Sequence, residues 1–164
     1  MGVTYTQGTD VEALEPKALA ERLEDVVVSA MGWLGKLSEV DAARPEREGK
    51  WSAKQVIGHL TDSAVNNLPR IVRMQIAAGQ TLQGYEQEKW VALQQYQMRE
   101  WSQVLAVWAV LNEQVAWTVA HVEKSKLAQV AMVEGSELTL GFLIEDYIAH
   151  IEHHLRLMRQ WLTD

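Results

Sequence analysis

The amino-acid sequence predicts an all-α protein built as a four-helix bundle. Apolar residues recur at steps of three and four along four long stretches. Residues that start and stop helices stand at the ends of those stretches. Loops connect them, and Val122 to Leu138 is the least helical part. A chain of 164 residues, 48% hydrophobic and 23% charged, is of a size for one globular domain spanning 1–164 with a substantial core.

The first helix is expected over Pro16 to Leu37, opening on a proline suited to the first helical turn. Its stripe is Leu19, Leu23, Val26, Val27, Ala30, Met31 and Leu34. Asp41 to Lys50 is charged, carries Pro45 and Gly49, and reads as a loop. The second helix starts after Trp51, where Ser52 and Gln55 have the spacing of a capping box. It runs to about Ala78, with Gly79 as its stop and Pro69 expected to kink it or to end its first half near Leu68. Gln80 to Glu86 reads as a second loop. A third helical pattern runs from Gln87 to His121 with a break near Arg99 to Ser102. Trp101, Val104, Leu105, Trp108, Leu111 and Val115 line one of its faces, which reads as core or dimer packing. Val122 to Leu138 is the least helical part, and Val130, Met132 and Val133 suit a short extended piece or a connecting loop. Thr139 caps a last helix reaching about Leu162.

Composition excludes several chemistries. The chain has no cysteine, so disulfides, thiolate metal sites, iron–sulfur clusters and a cysteine nucleophile are ruled out. Fifteen Lys and Arg against 22 Asp and Glu give a formal charge of −7, which disfavours nucleic acid as a partner. Uncharged runs such as Trp101 to Asn112 are too short for a membrane span. Met1 to Asp10 has neither the basic nor the apolar region of a signal peptide, so a cytoplasmic protein is expected.

The five histidines carry the chemistry. His150 and His154 stand four apart on the last helix, so their rings project from one face one turn apart and can share a metal ion. His59 lies in an apolar part of the second helix, and Ser63, Asn66 and Arg70 fall within about 40° of it on the helical wheel. Two readings of that polar stripe stay open. It faces water, or it faces the bundle interior, where helices build metal and cofactor sites. His153 points about 100° away from His154 and reads as a rim residue. His121 reads as a helix-terminal histidine favoured by the helix dipole. Asp146, one turn before His150, can accept the proton of that ring's second nitrogen, and Asp62 or a backbone carbonyl can serve as well. Asn66, Arg70 and Tyr147 are candidate substrate-binding residues, Arg70 because its fork matches a carboxylate. Bundle hydrogen bonding or surface solvation accounts for the same residues.

The segment Lys50-Trp51-Ser52-Ala53-Lys54-Gln55-Val56-Ile57-Gly58-His59-Leu60-Thr61-Asp62 resembles the W-S-x-x-[EQ]-[IV]-[IL]-x-H-L-x-D signature of the DinB/YfiT-like superfamily. The closing run from Leu138-Thr139 through Asp146, His150 and His153-His154 resembles that family's other motif, and Gly84-Tyr85-Glu86 to Trp90 fits its middle. The likeness covers roughly residues 16 to 162. After the last histidine, Leu155-Arg156-Leu157-Met158 departs from the Arg-Gly-Gln common in the family. The resemblance implies an up-down-down-up bundle, a divalent metal held by His59, His150 and His154, and often a homodimer.

It also implies activity on a small-molecule substrate, as a metal-dependent hydrolase or as an S-transferase using a low-molecular-weight thiol. Three neutral imidazoles leave an open position on the ion, the layout of a catalytic zinc site. Such a site activates a water or ionises a substrate thiol. Zinc or nickel is the metal expected, although copper and iron also suit an all-imidazole site. The competing reading is a non-catalytic dimerisation or partner-binding module of the same fold, with the tryptophan-rich region as its interface. Ligation of haem by two histidines is a poorer reading, because the His59 stripe is too polar for a haem pocket.

Overall fold

The computed structural model describes residues 5–6 and 8–163, with side chains through 162. The polar N-terminus read at Met1 to Asp10, and the last residue of the expected 1–164 span, lie partly outside the described residues. Six helices are described: α1 Pro16–Leu34, α2 Glu39–Ala43, α3 Ala53–Ile76, α4 Gln87–Gln94, α5 Trp101–Ala120 and α6 Leu140–Thr163. Three short strands join them: β1 Thr81–Leu82, β2 Val130–Val133 and β3 Ser136–Thr139.

The four long helices form the bundle. α1 packs on α5, α5 on α3, α3 on α6, and α6 back on α1. Side-chain pairs give their directions. Trp101 Nε1 donates to the Leu34 carbonyl at one end of α1 and Lys124 meets Glu15 at the other, so α1 and α5 are antiparallel. Arg22 pairs with Glu152, and Arg159 lies over the Trp33 ring, so α1 and α6 run together. His59 faces His154 while Ser63 faces His150, so α3 opposes α6. In chain order the long helices therefore run up, down, down and up, as expected. Trp108, Leu23, Leu34, Ile57, Leu60, Ile144, Ile148 and Ile151 fill the interior.

The start of α3 is held by a complete capping box. Ser52 Oγ accepts from the Gln55 amide, and Gln55 Oε1 accepts from the Ser52 amide. Pro69 neither ends nor splits this helix. It is exposed, and so is Val65, whose carbonyl is the partner that Pro69 cannot bond.

Three other expectations are corrected. The region read as a loop from Asp41 contains the end of α2, which Ser38 caps by accepting from the Asp41 amide. The break before α5 includes the expected Arg99 and Glu100 but begins earlier, at Gln95, which is left-handed with φ 51°. The loop expected over Gln80 to Glu86 contributes β1, which pairs in parallel with β2. β2 and β3 form a hairpin closed by Glu134 and Gly135, both at positive φ, the geometry of a two-residue turn that suits glycine. This small sheet lies beside α3 and α6 and walls one side of a cavity. No helix among the described residues is long and apolar enough to cross a membrane.

Candidate metal centre

α3 carries His59 two turns beyond its cap, and α6 carries His150 and His154 one turn apart. Because the two helices are antiparallel neighbours, all three rings meet between them. His59 and His150 are buried, at 1% and 6% exposure, and His154 is half-buried. One ligand atom from each of the three lies within 4.8 Å of the other two. His59 Nε2 and His150 Nε2 are 2.9 Å apart. Ring centroids are 4.6–5.0 Å apart and the ring planes stand at 72–89° to one another. Of the two readings of the His59 stripe, the geometry thus selects the one that faces the interior. Trp51 lies 5.2 Å from the His59 ring, and Tyr5 lies 4.7 Å from that of His150.

Electrostatics keep the cluster neutral. Burial pulls the His59 and His154 pKa values from 6.5 down to about 4, with neighbouring rings adding to the effect at His154. His150 falls to about 2, through burial first and then repulsion by His154, His59 and His153. Three uncharged imidazoles therefore bring one ring nitrogen each into a shared space at neutral pH. That donor set fits a divalent cation, since neutral imidazole is the form that ligates. His153 is excluded from the convergence. Its ring lies 5.5 Å from that of His154, and its Nδ1 accepts from Arg156 at 3.3 Å. His121 is remote at the end of α5, its ring tilted against that of Trp117.

The two carboxylates expected to support the histidines do something else. Asp62 Oδ1 accepts from the Tyr96 hydroxyl at 2.6 Å and from Gln94, and its Oδ2 is buried without a partner among the described residues. Three residues past His59, it faces round the helix toward α4 rather than toward α6. Asp146 Oδ1 accepts from the backbone amides of Tyr5 and Thr6 at 2.5 and 2.8 Å. At His150 the neighbour of the second nitrogen is Ser63 Oγ, 3.4 Å away. His59 Nδ1 is buried without a described partner.

A cavity of about 380 Å³ opens beside His150. Arg70 lines it, but its guanidinium donates to the Gln83 carbonyl at 2.6 Å and lies 3.9 Å from Glu134, so its fork is largely committed. Tyr147 also lines it, and its hydroxyl donates to Asn112 at 2.6 Å. Asn66 does not line it. Its side chain donates to the Asp62 carbonyl, and Asn67 takes the cavity position instead. Sequence reasoning missed Asn67, Tyr85, Glu134 and Tyr5. Burial raises the Tyr85 phenol to about 12. These residues sit on loops, at a strand turn or a step round the helix, where no periodicity marks them; only the family-like Gly84-Tyr85-Glu86 stretch pointed toward Tyr85.

The chain is similar to several known proteins. A relative from Halalkalibacterium halodurans, named "Putative metal-dependent hydrolase", is 26% identical over 90% of this chain and 82% of its own. Another of that name, from Bacillus licheniformis, is 27% identical over 73% of this chain and 69% of its own. YfiT from Bacillus subtilis, described as a probable metal-dependent hydrolase with an unusual four-helix bundle topology, shares the fold. It superposes with a TM-score of 0.84, at 17% identity over 95% of this chain and 91% of its own. The family model of the DinB superfamily matches residues 10–158. With that match and the three converging histidines, the chain belongs to the DinB superfamily.

Proposed function

We propose that this protein is a divalent-metal-dependent enzyme that hydrolyses a small-molecule substrate. The single observation carrying this reading is the buried convergence of His59, His150 and His154 beside a cavity. These three residues would hold the ion, with zinc or nickel the metals of choice for an all-imidazole set. An ion so bound keeps its full charge and an open position, and supplies Lewis-acid activation of water near neutral pH.

The chain's own residues do the rest. Helix packing holds the three rings neutral and pre-oriented, so loading needs no deprotonation near pH 7. Trp51 excludes water from the His59 side. Arg70, Asn67 and Tyr85 present polar groups along the cavity, and Tyr147 forms part of its inner wall. At 380 Å³ the cavity is at the small end of ligand sites, which span roughly 300–1,000 Å³. That size suits one small substrate and a water better than a substrate together with a low-molecular-weight thiol. Hydrolysis is therefore preferred over S-transfer.

The test begins with metal analysis of untagged protein reconstituted with zinc or nickel. About one equivalent is expected, and less than about a tenth of an equivalent removes the basis for the reading. The loaded protein is then assayed on ester, amide and phosphoester panels with and without an added small thiol. Turnover that requires the thiol would reassign the enzyme as a transferase. Full metal loading without turnover on any panel would favour the non-catalytic module.

A further inference from the structure

The described N-terminal residues meet α6 at several points on the way to the histidines. Val11 and Leu14 pack over Gly141. Thr9 Oγ1 donates to Glu145. At the next residue of α6, the single oxygen Oδ1 of Asp146 receives the backbone amides of both Tyr5 and Thr6. Two N–H donors on one ionised oxygen form a charge-assisted clamp, stronger than a neutral pair. The clamp fixes where Tyr5 falls. Its ring lies 4.7 Å from His150, 5.2 Å from His153 and 6.2 Å from His154, and it also lines the cavity beside His150.

We infer that Tyr5 is a specificity-determining residue of the metal centre: a roof held by Asp146 over the α6 side of the three histidines, limiting the size of the group that reaches the ion. This inference rests on the metal-dependent reading proposed above. Trp51 covers the His59 side of the cluster and Tyr5 the His150 and His154 side. A small group enters through the cavity, past the edge of the Tyr5 ring. A bulky one requires the strap to leave, and leaving breaks both amide bonds to Asp146. Asp146 thus positions Tyr5 and, through it, acts on the site without bonding to a histidine. The ring rather than the hydroxyl makes the contacts, so phenylalanine can replace tyrosine here.

The experiment loads wild type, Asp146→Ala, Tyr5→Ala and Tyr5→Phe with one equivalent of zinc and follows its transfer to excess pyridylazo-resorcinol, a bulky chromophoric chelator. Asp146→Ala and Tyr5→Ala are expected to release zinc at least about tenfold faster than wild type, the first by losing the two charge-assisted hydrogen bonds that hold the strap and the second by losing the ring itself. Tyr5→Phe is expected to match wild type. In metal-free protein, the amides of Tyr5 and Thr6 should exchange slowly in wild type and rapidly in Asp146→Ala, a readout that needs no metal. Equal release rates in zinc-loaded wild type, Asp146→Ala and Tyr5→Ala overturn the roof while leaving the metal reading intact. A wild type that binds no zinc overturns the metal reading and this role with it, whatever the amide exchange shows. If Asp146→Ala fails to fold, Tyr5→Ala decides, since it removes ring contacts only.

Discussion

Replacing Gly58 by alanine sets two forces against each other. By helix propensity alone, Gly→Ala inside α3 stabilises by about 1 kcal/mol. The structure reverses that sign. A Cβ at position 58 would lie 2.1 Å from Tyr96 Cδ2 and 2.3 Å from Tyr96 Cγ, and the Tyr96 ring is buried at 4% exposure. The ring must move out. Displacing a buried aromatic forfeits about 1.5–3 kcal/mol of apolar burial. Removing its hydroxyl from Asp62 leaves a buried carboxylate short of a donor, at a cost of about 1–3 kcal/mol. After the propensity gain is deducted, the net loss is about 1.5–5 kcal/mol. With a urea slope near 2 kcal/mol per molar for a domain of this size, the midpoint should fall by about 0.75–2.5 M. Urea titration of the metal-free protein followed by tryptophan fluorescence measures this directly. In a Tyr96→Ala background the penalty should vanish, because nothing is left to collide with. A midpoint that rises or holds in the single variant refutes the reasoning, and an equal penalty in both backgrounds places the collision elsewhere.

Other predictions concern the site and its supports. His59→Ala should weaken zinc binding by more than about a hundredfold, beyond the 10–100-fold that loss of a residue supporting a ligand costs, whereas His153→Ala should leave stoichiometry and affinity near wild type. Competition titration against a calibrated chelator separates the two outcomes. The metal-free protein should lose stability as pH falls from 6.5 to 4. Across that window the unfolded chain takes up a proton at His59 that the folded chain refuses until about pH 4, so the stabilisation is complete above 6.5 and fades below it. The loss is on the order of 3 kcal/mol for His59 alone, and a flat unfolding midpoint across the window would contradict the burial of that ring. Tyr147→Phe should cost about 1–3 kcal/mol by leaving Asn112 Oδ1 without its donor inside the bundle, with metal stoichiometry unchanged. Unfolding curves together with metal analysis of the same sample test both halves of that statement.

Local chemistry made much of this protein legible in one dimension. Ser52 with Gln55 marked the start of α3, Pro16 that of α1, and apolar steps of three and four marked the buried faces, because capping and helical periodicity act over only a few residues. The same periodicity put His150 over His154 and grouped His59 with Ser63 and Arg70. Whether that polar stripe met water or another helix depended on which helices become neighbours. That is settled by the packing of whole faces, and it brings together residues 91 positions apart. Tertiary packing alone also turned Asp62 toward Tyr96, gave Asp146 to the N-terminal amides, committed Arg70 to the Gln83 carbonyl and exchanged Asn66 for Asn67 at the cavity. A polar side chain bonds to whatever the fold sets within 3 Å of it, and for these residues the partners lie on other segments whose approach no local pattern encodes.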